Sequence, residues 1–455
     1  MRRPLRRLKD PIPGADHGTM APGGRVRRRR LRALIVIAAV GAAMLPIPGR
    51  ARAGDTDRSA RAGSTTAEGE NGSGPPPIPV VYDRRDRRLM AKSGAITFAD
   101  VDDTEAWAKT AIEHVGVTHD WMRDFAPKND GTYPFRPDAL ETRKYFARSL
   151  VKAFAPAAKP DPTLVFSDLD PSTAWYRYAT VAVQKGWMTR TADGAFLPDR
   201  PVTMSGVHRA LVLALGLRPA ARALDAIHTR DGVRFDVPRN FGTTMLGLRL
   251  GLRFNFPSGS ESRDVGPDDA LPRAYVAYSL FRATTQPSWT VPELLRQYDE
   301  VKLPYLGPRQ RAVVRWGIRY TGYPYYWGGE WGIRNPSQSR TGFDCSGLTW
   351  WLLRHNATGW NVAPPRPYRG WSLPERTSAE MARLTSKRIT YKELRPGDIM
   401  FYDGNRDGVV DHVDTYIGNG YSLDSSSTPG GVTVMWVGDG WYRDHFRYGR
   451  RILPG

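Results

Sequence analysis

Cys345 is the only cysteine among the 455 residues of the chain, and it lies in the stretch RTGFDCSGLTWWLLRHN over residues 340–356. A lone cysteine excludes an intramolecular disulfide, and CxxC redox and zinc-ribbon motifs are absent. The apolar segment that follows predicts a buried helix with Cys345 at or near its first turn. Free backbone N–H groups and the positive end of the helix dipole favour a thiolate there and can hold an oxyanion. The pattern indicates a nucleophile, although composition alone favours a buried structural cysteine.

A thiol nucleophile needs a base within reach, and His412 is the candidate. Apolar and polar residues alternate over residues 412–417, which predicts a half-buried strand with His412 on its polar face. The glycine-rich residues 418–420 predict a turn into a second strand. If this turn is a three-residue loop, Asp414 pairs with Asp424, and His412 lies about 7 Å from Asp424 between Cα atoms. Either Asp424 or Asp414 is then placed to orient the imidazole.

The same region fits the spacing of a calcium-binding loop over residues 403–414, DGNRDGVVDHVD. Its oxygen ligands would come from Asp403, Asn405, Asp407, Asp411 and Asp414, with Gly408 at the turn position. The alternative is a polar hairpin tip between strands predicted at residues 398–402 and 411–417. We favour the hairpin tip and expect neither a metal nor another cofactor.

Six stretches of the carboxyl-terminal region occur in the order and spacing of NlpC-type cell-wall cysteine peptidases, which this region resembles over residues 308–455. These stretches are YPYYWGG, TGFDCSGL, RTSAEM, LRPGDIMFY, DHVDTYIGNG and SSSTPGGVTV. The resemblance implies a papain-like fold, in which a helix carrying the cysteine packs on a small antiparallel sheet carrying the histidine. It also implies cleavage of peptidoglycan stem peptides, typically between D-γ-glutamate and the diamino acid.

The resemblance further implies that Cys345 is the nucleophile and that His412 is the general base and later the acid. Asp424 stands where the family commonly has a histidine, and a carboxylate at this place can still orient an imidazole. The family's H-V-G sequence becomes His412-Val413-Asp414 in this chain. The added carboxylate of Asp414 should favour an imidazolium.

The resemblance also implies four substrate-binding residues, namely Tyr325, Asp344, Ser346 and Arg376. Tyr325 matches the first tyrosine of the family's Y-x-W-G-G motif, which lines the cleft beside the thiol. Asp344 and Ser346 flank the nucleophile and would contact the amino end of the stem peptide. Arg376 would meet a substrate carboxylate, with a solvated surface arginine as the alternative.

The region before this domain repeats itself at offsets of 61 and 68 residues. ITFADVDDTEAWAKTAI aligns with LVFSDLDPSTAWYRYAT, and YPFRPDALETRKYFARSLVKAF aligns with GAFLPDRPVTMSGVHRALVLAL. A degenerate third copy follows. Periods of this size indicate stacked helix–loop–helix units, each of which cannot bury its apolar face alone. We place the copies at residues 93–157, 158–218 and 219–286, followed by a connector at 287–307.

The repeated pattern F-x-D-V … W-A … F-x-P-D … T-R resembles S-layer homology repeats. The resemblance implies a mostly helical, pseudo-threefold module that grips an anionic cell-wall polymer. The family's Thr-Arg pair becomes Thr142-Arg143, Thr203-Met204 and Pro272-Arg273 in the three copies. An arginine at a helix start can hold a carboxylate or phosphate. The alternative is a helical spacer whose periodic residues only form a core.

The amino terminus carries a large share of the positive charge. Residues 1–53 hold thirteen basic and two acidic residues and contribute +11 to the net charge of +20, which leaves +9 for the rest. This basic segment precedes the apolar residues 33–45 and the small-x-small sequence Ala51-Arg52-Ala53. We therefore predict an export signal over residues 1–53, with an uncleaved membrane anchor as the alternative. Residues 54–92, rich in Gly, Ser and Pro, predict a flexible linker.

These features predict an α+β protein that is secreted and associated with the cell wall, with its catalytic domain at residues 308–455. The expected partners are peptidoglycan stem peptides and an anionic wall polymer. Neither nucleic acid nor, after signal cleavage, a membrane is expected. Two alternatives stay open. One is a non-catalytic wall-binding protein, suggested by Asp424 and by the aromatic insert at residues 359–377, and the other is an amidase or acyltransferase on the same fold.

Overall fold

The computed structural model describes residues 74–92, 96–102, 106–330, 342–353 and 373–453, all within one compact unit that spans residues 66–455. The predicted export signal and residues 54–73 of the predicted linker lie outside the described residues. In the described part of the chain, no helix combines the length and the apolar character that a membrane span requires.

The amino-terminal half of this unit is mostly helical, as the repeats predict. Its helices are α1 (Arg84–Lys92), α2 (Lys109–Ile112), a π-helix (Glu113–Thr118), α3 (Arg143–Phe154), α4 (Ala174–Gln184), α5 (Met204–Ala214), α6 (Arg218–Asp225), α7 (Phe241–Arg249), a 3-10 helix (Glu261–Arg263), α8 (Arg273–Thr284) and α9 (Thr290–Gln297). Two short strands, β1 (His228–Thr229) and β2 (Lys302–Leu303), pair in parallel. Phe146, Leu150 and Val151 of α3 recur at helical spacing and are buried in the shared core.

The three copies of the repeat pair with one another in a cycle. Short antiparallel bridges join Thr142 to Pro201, Thr203 to Ala270, and Leu140 to Pro272. Every residue in these bridges lies just before α3, α5 or α8. In the three copies, these are the helices that follow the F-x-P-D sequence or its counterpart. The degenerate third copy therefore occupies the third position of the module, although its sequence departs from the pattern.

The aspartate of the repeated F-x-D sequence holds the same loop in the first two copies. Asp100 accepts hydrogen bonds from the backbone N–H groups of Phe135 at 2.7 Å and Arg136 at 2.8 Å. The second copy repeats both bonds, each at 2.7 Å, with Asp168, Phe196 and Leu197. Arg136 and Leu197 have φ angles of 60° and 58°. The carboxylate offsets the cost of this left-handed backbone in a residue with a side chain.

The carboxyl-terminal half is a five-stranded antiparallel sheet with helices packed on it. The strand order is β6-β5-β4-β3-β7. The elements are α10 (Pro308–Arg319), α11 (Cys345–Leu353), α12 (Ser378–Arg383), a 3-10 helix (Tyr391–Glu393), β3 (Ile399–Tyr402), β4 (His412–Gly418), β5 (Tyr421–Ser426), β6 (Gly431–Trp436), α13 (Gly440–His445) and β7 (Phe446–Arg450). The cysteine lies on a helix and the histidine on the sheet, so the predicted α+β class is confirmed.

Strand β4 differs from the prediction because both of its faces are buried. Val413 and Ile417 face the main core, which includes residues of α10 and α11. The opposite face is covered by a second apolar cluster, whose members are Met400, Tyr402, Tyr416, Met435, Val437 and Tyr442. The predicted half-buried strand is therefore wrong, and the polar residues of β4 lie in the interior.

The β4–β5 hairpin keeps the predicted register but closes it differently. Thr415 pairs with Leu423, and Gly418 pairs with Tyr421 after an irregularity at Ile417. The loop is thus shorter than the three residues expected. The pairs Thr415–Leu423 and Tyr416–Ser422 have the register that a three-residue loop predicts, in which Asp414 would pair with Asp424.

The predicted flexible linker does not extend through residues 74–92. The N–H of Val81 donates to the carbonyl of Thr285 at 2.9 Å, and the Arg282 guanidinium donates to the carbonyl of Ile78 at 2.7 Å. Farther along the unit, the Thr428 hydroxyl donates to the carbonyl of Pro75 at 2.6 Å. This segment therefore lies on the folded unit and ends in α1.

Buried polar contacts join the repeat module to the sheet domain. Arg253 donates to the carbonyls of Val265 at 2.9 Å and Gly322 at 2.6 Å, and also to that of Gly430. In the connector, the Tyr298 hydroxyl donates to the carbonyl of Val434 at 3.0 Å. The predicted connector at residues 287–307 thus packs on strands β5 and β6 and includes α9 and β2.

Candidate active site

Helix α11 begins at Cys345, so the thiol lies in the first turn as predicted. The carboxylate of Asp344 accepts hydrogen bonds from the Gly347 N–H and, at 3.1 Å, from the Ser346 hydroxyl. The carbonyl of Asp344 accepts the first helical bond, from the Leu348 N–H at 3.0 Å. Asp344 therefore acts as the N-cap. The free thiol is 7% exposed and lies beside the backbone N–H groups of the helix start.

The start of α11 packs so closely on the preceding loop that residue 347 must be glycine. A Cβ atom on Gly347 would lie 1.8 Å from the carbonyl oxygen of Gly329. The same loop contains Tyr325, which is buried and donates its N–H to the carbonyl of Gly430 at 2.9 Å. The predicted cleft tyrosine therefore belongs to the loop that packs beside the cysteine helix.

His412 is fully buried at the start of β4. Its Nε2 lies 2.9 Å from Oδ1 of Asp424. The two atoms form a close charge pair, but their geometry is not that of a hydrogen bond. The Cys345 sulfur interacts with the same imidazole. Burial alone would lower the pKa of His412, but the Asp424 carboxylate and the sulfur outweigh it and hold this pKa well above its usual value. The three residues proposed as catalytic therefore meet in one buried cluster.

Three further hydroxyl groups bond to the two carboxyl groups of the cluster, Asp424 and Asp414. Asp424 accepts a hydrogen bond from the Tyr442 hydroxyl at 2.8 Å. Asp414 instead accepts from the hydroxyls of Tyr402 at 2.9 Å and Ser422 at 2.6 Å. Burial, followed by the charge of Asp424, raises the pKa of Asp414 to about 8.

These contacts decide between the two acids at the imidazole. Asp424 is the carboxylate in contact with His412, whereas Asp414 accepts hydrogen bonds from Tyr402 and Ser422, and burial raises its pKa. The expectation that a charged Asp414 favours the imidazolium stays a prediction, and the raised pKa of Asp414 opposes it because the interior of the sheet disfavours the charged carboxylate.

Two stretches of the chain match known families. Residues 322–451 match the NlpC/P60 family, and residues 165–203 match the S-layer homology domain. Residues 322–451 are an NlpC/P60 domain. An S-layer homology domain precedes it, as the repeats predicted. Helix α10 lies before the NlpC/P60 match but packs on its sheet, where a Cβ on Gly317 would lie 2.2 Å from Leu423.

Three curated bacterial relatives share the NlpC/P60 region. The bifunctional muramidase/DL-endopeptidase CwlT of Bacillus subtilis is 35% identical over 30% of this chain and 34% of its own length. The murein DD-endopeptidase MepH of Escherichia coli is 31% identical over 30% of this chain and 43% of its own. The gamma-D-glutamyl-L-lysine dipeptidyl-peptidase of Bacillus subtilis is 26% identical over 35% and 46%. The chain thus spans between a third and a half of these relatives.

A solved structure of the peptidoglycan hydrolase RipB from Mycobacterium tuberculosis is 29% identical to this chain. It covers 32% of this chain and 66% of that chain, with a TM-score of 0.24.

Arg376 of the NlpC/P60 domain is neither solvated nor a lone surface charge. It donates to Glu330 at 2.6 Å, to the Ser346 hydroxyl at 2.8 Å and to the Gly329 carbonyl at 3.0 Å, and it pairs with Asp344 at 3.2 Å. Burial lowers its pKa, but the charges of Asp344 and Glu330 raise it above its usual value. Arg376 therefore joins the loop before α11 to the start of that helix.

The predicted substrate contacts of Asp344 and Ser346 stay predictions. Both side chains are buried, and their polar atoms bond to the helix start and to Arg376. Any contact with a stem peptide would have to share these groups. The aromatic residues proposed to cover the cleft, Trp360, Tyr368 and Trp371, lie outside the described residues.

The calcium-loop interpretation of residues 403–414 stays a prediction, and the carboxylates of this loop bond to its own backbone and to Arg447. Asp403 accepts the N–H groups of Asp407 at 3.1 Å and Gly408 at 3.0 Å, and it pairs with Arg447. Asp411 accepts the N–H of Gly404, and Asp407 accepts that of Val409. Asn405 bonds to Asp407, and Asp414 lies within the sheet. Within the described ranges, no three carboxylates of this loop lie together within 4.8 Å.

Two residues support the cluster from distant elements and were not predicted from the sequence. Tyr442 bonds to Asp424 from α13, and Glu330 bonds to Arg376 across 46 residues of sequence. Neither residue belongs to a periodic pattern or a short motif. No signal in one sequence could have found them, because only the tertiary fold brings these elements together.

Proposed function

We propose that the chain is an exported peptidoglycan hydrolase that cuts stem peptides with Cys345 as the nucleophile. The observation that supports this most directly is the buried contact between His412 and Asp424 beside the thiol. An imidazolium next to a sulfur at a helix start favours the ionised, nucleophilic thiolate. The substrate class is supported by relatives named as a murein endopeptidase and a DL-endopeptidase.

The reaction follows from these positions. The Cys345 thiolate attacks the peptide carbonyl, and backbone N–H groups at the start of α11 stabilise the oxyanion. His412 gives its proton to the leaving amine, which departs and leaves a thioester. Neutral His412 then takes a proton from a water molecule that attacks the thioester. Release of the acid product restores the thiolate and the imidazolium, while Asp424 keeps the ring oriented.

Within the stem peptide, we propose the bond between D-γ-glutamate and the diamino acid. The names of the relatives do not agree on one bond, since MepH is named a DD-endopeptidase. The relative named for the gamma-D-glutamyl-L-lysine linkage supports the γ-glutamyl bond. The DL-endopeptidase name of CwlT is compatible with it.

The repeat module is proposed to hold the enzyme at the cell wall. The S-layer homology match and the positive charge of the chain support an anionic wall polymer as its partner. Arg273 is not available for such a polymer, because it bonds to Glu141 and Asp124 inside the module. Arg143 bonds to carbonyl groups and has no acid partner among its hydrogen bonds, so it is the better candidate. We propose a secreted, wall-associated protein.

Mass spectrometry of defined muropeptides after digestion tests the proposed bond. We expect products with a free γ-carboxyl on D-glutamate and a free amino group on the diamino acid. Cys345→Ala should abolish them, and His228→Ala, a histidine change in the repeat module, should leave them unchanged. Products cut at another bond would overturn only the bond assignment. A folded wild-type chain that binds sacculi but yields no product would favour the non-catalytic wall-binding protein.

A further inference from the structure

Three buried side chains outside the catalytic cluster converge at the amino-terminal edge of the repeat module. Asp86 of α1, His114 of the π-helix and His119 just after it are 7%, 1% and 7% exposed. One carboxylate oxygen and one nitrogen of each ring all lie within 4.8 Å of one another. Among the described residues, no other set of three His, Cys, Asp or Glu side chains converges in this way.

The π-helix is what brings the two histidines together. The His119 N–H donates to the carbonyl of His114 at 3.0 Å, a bond that spans five residues. In an α-helix, side chains five residues apart point about 140° away from each other. The wider turn instead puts the two rings in contact, with centroids 4.7 Å apart. Isolated π-helical turns occur frequently at functional sites.

His114 has a buried nitrogen with no protein partner. Its Nδ1 accepts and donates no hydrogen bond within the described residues, and its Nε2 lies 3.4 Å from the Thr284 hydroxyl. The rings of Tyr82, Trp121 and Phe281 surround it, at centroid distances of 5.8, 5.5 and 5.2 Å. A buried nitrogen without a partner costs free energy. A bound metal ion would remove this cost, because it accepts the lone pair of a neutral imidazole.

We propose that Asp86, His114 and His119 bind one divalent transition-metal ion of the zinc class. Two imidazole nitrogens and one carboxylate oxygen are a ligand set that zinc accepts in proteins. The ion would hold α1, the first helix after the linker, on the repeat module. This inference does not depend on the proposed peptidase activity.

The surroundings of the cluster agree with metal binding. Oδ1 of Asp86 lies 2.9 Å from Nε2 of His119, so a carboxylate oxygen and a ring nitrogen of the cluster already lie side by side. Asp83 accepts the N–H of Asp86 at 2.7 Å and so fixes the backbone that carries this ligand. The Trp121 ring stacks on His119 at 3.9 Å and fixes its plane.

Metal binding by the full chain tests this site directly. The Cys345→Ala variant is used throughout, because a free thiolate is itself a zinc ligand. After chelation and buffer exchange, we expect about one Zn²⁺ per chain to bind and to raise the melting temperature. Co²⁺ should give the intense visible bands of a tetrahedral site. Asp86→Asn and His119→Gln should each weaken Zn²⁺ binding by about tenfold or more.

The matched control is His228→Gln. His228 also faces a carboxylate, with its Nε2 3.9 Å from Glu300, but it does not belong to the three-residue cluster. This substitution should leave Zn²⁺ affinity unchanged. Zn²⁺ affinity equal to wild type in folded Asp86→Asn and His119→Gln proteins would overturn the site. If these variants do not fold, the Co²⁺ spectrum of the Cys345→Ala protein decides alone. Absence of tetrahedral bands would overturn the site and leave Asp86 and His119 as an ordinary ion pair.

Discussion

At the scale of single residues, Asp424 is the difference from the family pattern that most affects the chemistry, because the family commonly has a histidine at this position. A histidine at this place would leave the imidazole of His412 without a neighbouring negative charge. The carboxylate of Asp424 supplies that charge at 2.9 Å and is itself held by the Tyr442 hydroxyl. The substitution therefore strengthens the tendency of His412 to keep its proton.

Asp424→Asn should move the alkaline limb of the pH profile of kcat/KM to lower pH. The pKa of His412 is raised in the folded protein, so the imidazolium persists as pH rises until this pKa is passed. Removal of the carboxylate charge lowers this pKa, and the imidazolium is lost earlier. Tyr442→Phe, which keeps the carboxylate, is the control and should shift the limb much less. An unchanged limb in Asp424→Asn would show that this acid does not set the protonation of the base.

Asp414→Asn should flatten the dependence of stability on pH between about 4 and 8. The pKa of Asp414 is raised to about 8, so the folded chain holds a proton that the unfolded chain has lost in this window. Stability therefore falls as pH rises, by at most about 1.4 kcal/mol per pH unit for one group. Urea unfolding at pH 5 and pH 8 measures the difference.

The control for this measurement is Asp407→Asn, in the exposed loop before β4. Glu141, whose pKa burial also raises to about 8, contributes equally to wild type and to both variants. Equal slopes in wild type and Asp414→Asn would mean that Asp414 is ionised in the folded protein.

The residue-scale prediction from sequence succeeded where a local pattern carried the information. The helix start located Cys345, and the hairpin register placed Asp424 near His412. The raised pKa of Asp414 was not predictable, because it depends on burial of both faces of β4, which no window of sequence shows. Arg376 was ambiguous for the same reason, since its partners come from two other segments.

At the scale of elements, the junction of α11 with the preceding loop positions the nucleophile. Gly347→Ala should destabilise the domain by roughly 1–3 kcal/mol, because the added methyl overlaps the Gly329 carbonyl. It should also lower kcat/KM by displacing Cys345. Gly266→Ala is the control, since its Cβ would meet no atom closer than 3.6 Å. Thermal unfolding and peptide release together measure both effects. Equal stability of the two variants would contradict the packing described.

The helices and strands themselves were predictable from periodicity and turn residues. The side chains from other elements that cover them were not. The β4–β5 hairpin follows from alternation and glycine. The cluster that buries its second face comes from β3, β6 and α13, which precede and follow it in sequence. The packed segment at residues 74–92 was missed because its composition is that of a linker and its contacts are mostly made by backbone carbonyls.

At the scale of the whole molecule, one buried arginine ties the third repeat to the first. Arg273 of α8 bonds to Glu141 at 2.6 Å, to Asp124 at 2.8 Å and to the Phe135 carbonyl at 2.7 Å. In the first copy, Arg143 likewise bonds to the Phe196 carbonyl of the second. The second copy has Met204 instead, and its side chain is buried.

Arg273→Met should therefore destabilise the module by roughly 3–5 kcal/mol, since it leaves the buried Glu141 without its cation and leaves Asp124 with Arg148 alone. The matched control is Arg143→Met, which makes the same change in the first copy but removes only bonds to carbonyls. Its effect should be clearly smaller. Urea unfolding of both variants measures the difference. Equal losses of stability would show that the buried acids do not depend on Arg273.

The architecture as a whole was largely predictable, because repeats and ordered motifs identify domains even when single positions diverge. The sequence could not show how the domains join. Arg253 fixes that junction through backbone carbonyls of the sheet domain, and no residue pattern marks a carbonyl as a partner.

The central claim is that the Cys345 thiol, beside the His412–Asp424 pair, cuts peptidoglycan. The most direct measurement is release of stem-peptide fragments from purified sacculi by the wild-type chain and by its Cys345→Ala variant. We predict release by the wild type and a fall to the enzyme-free background in the variant. Undiminished release by a folded Cys345→Ala protein would contradict the claim.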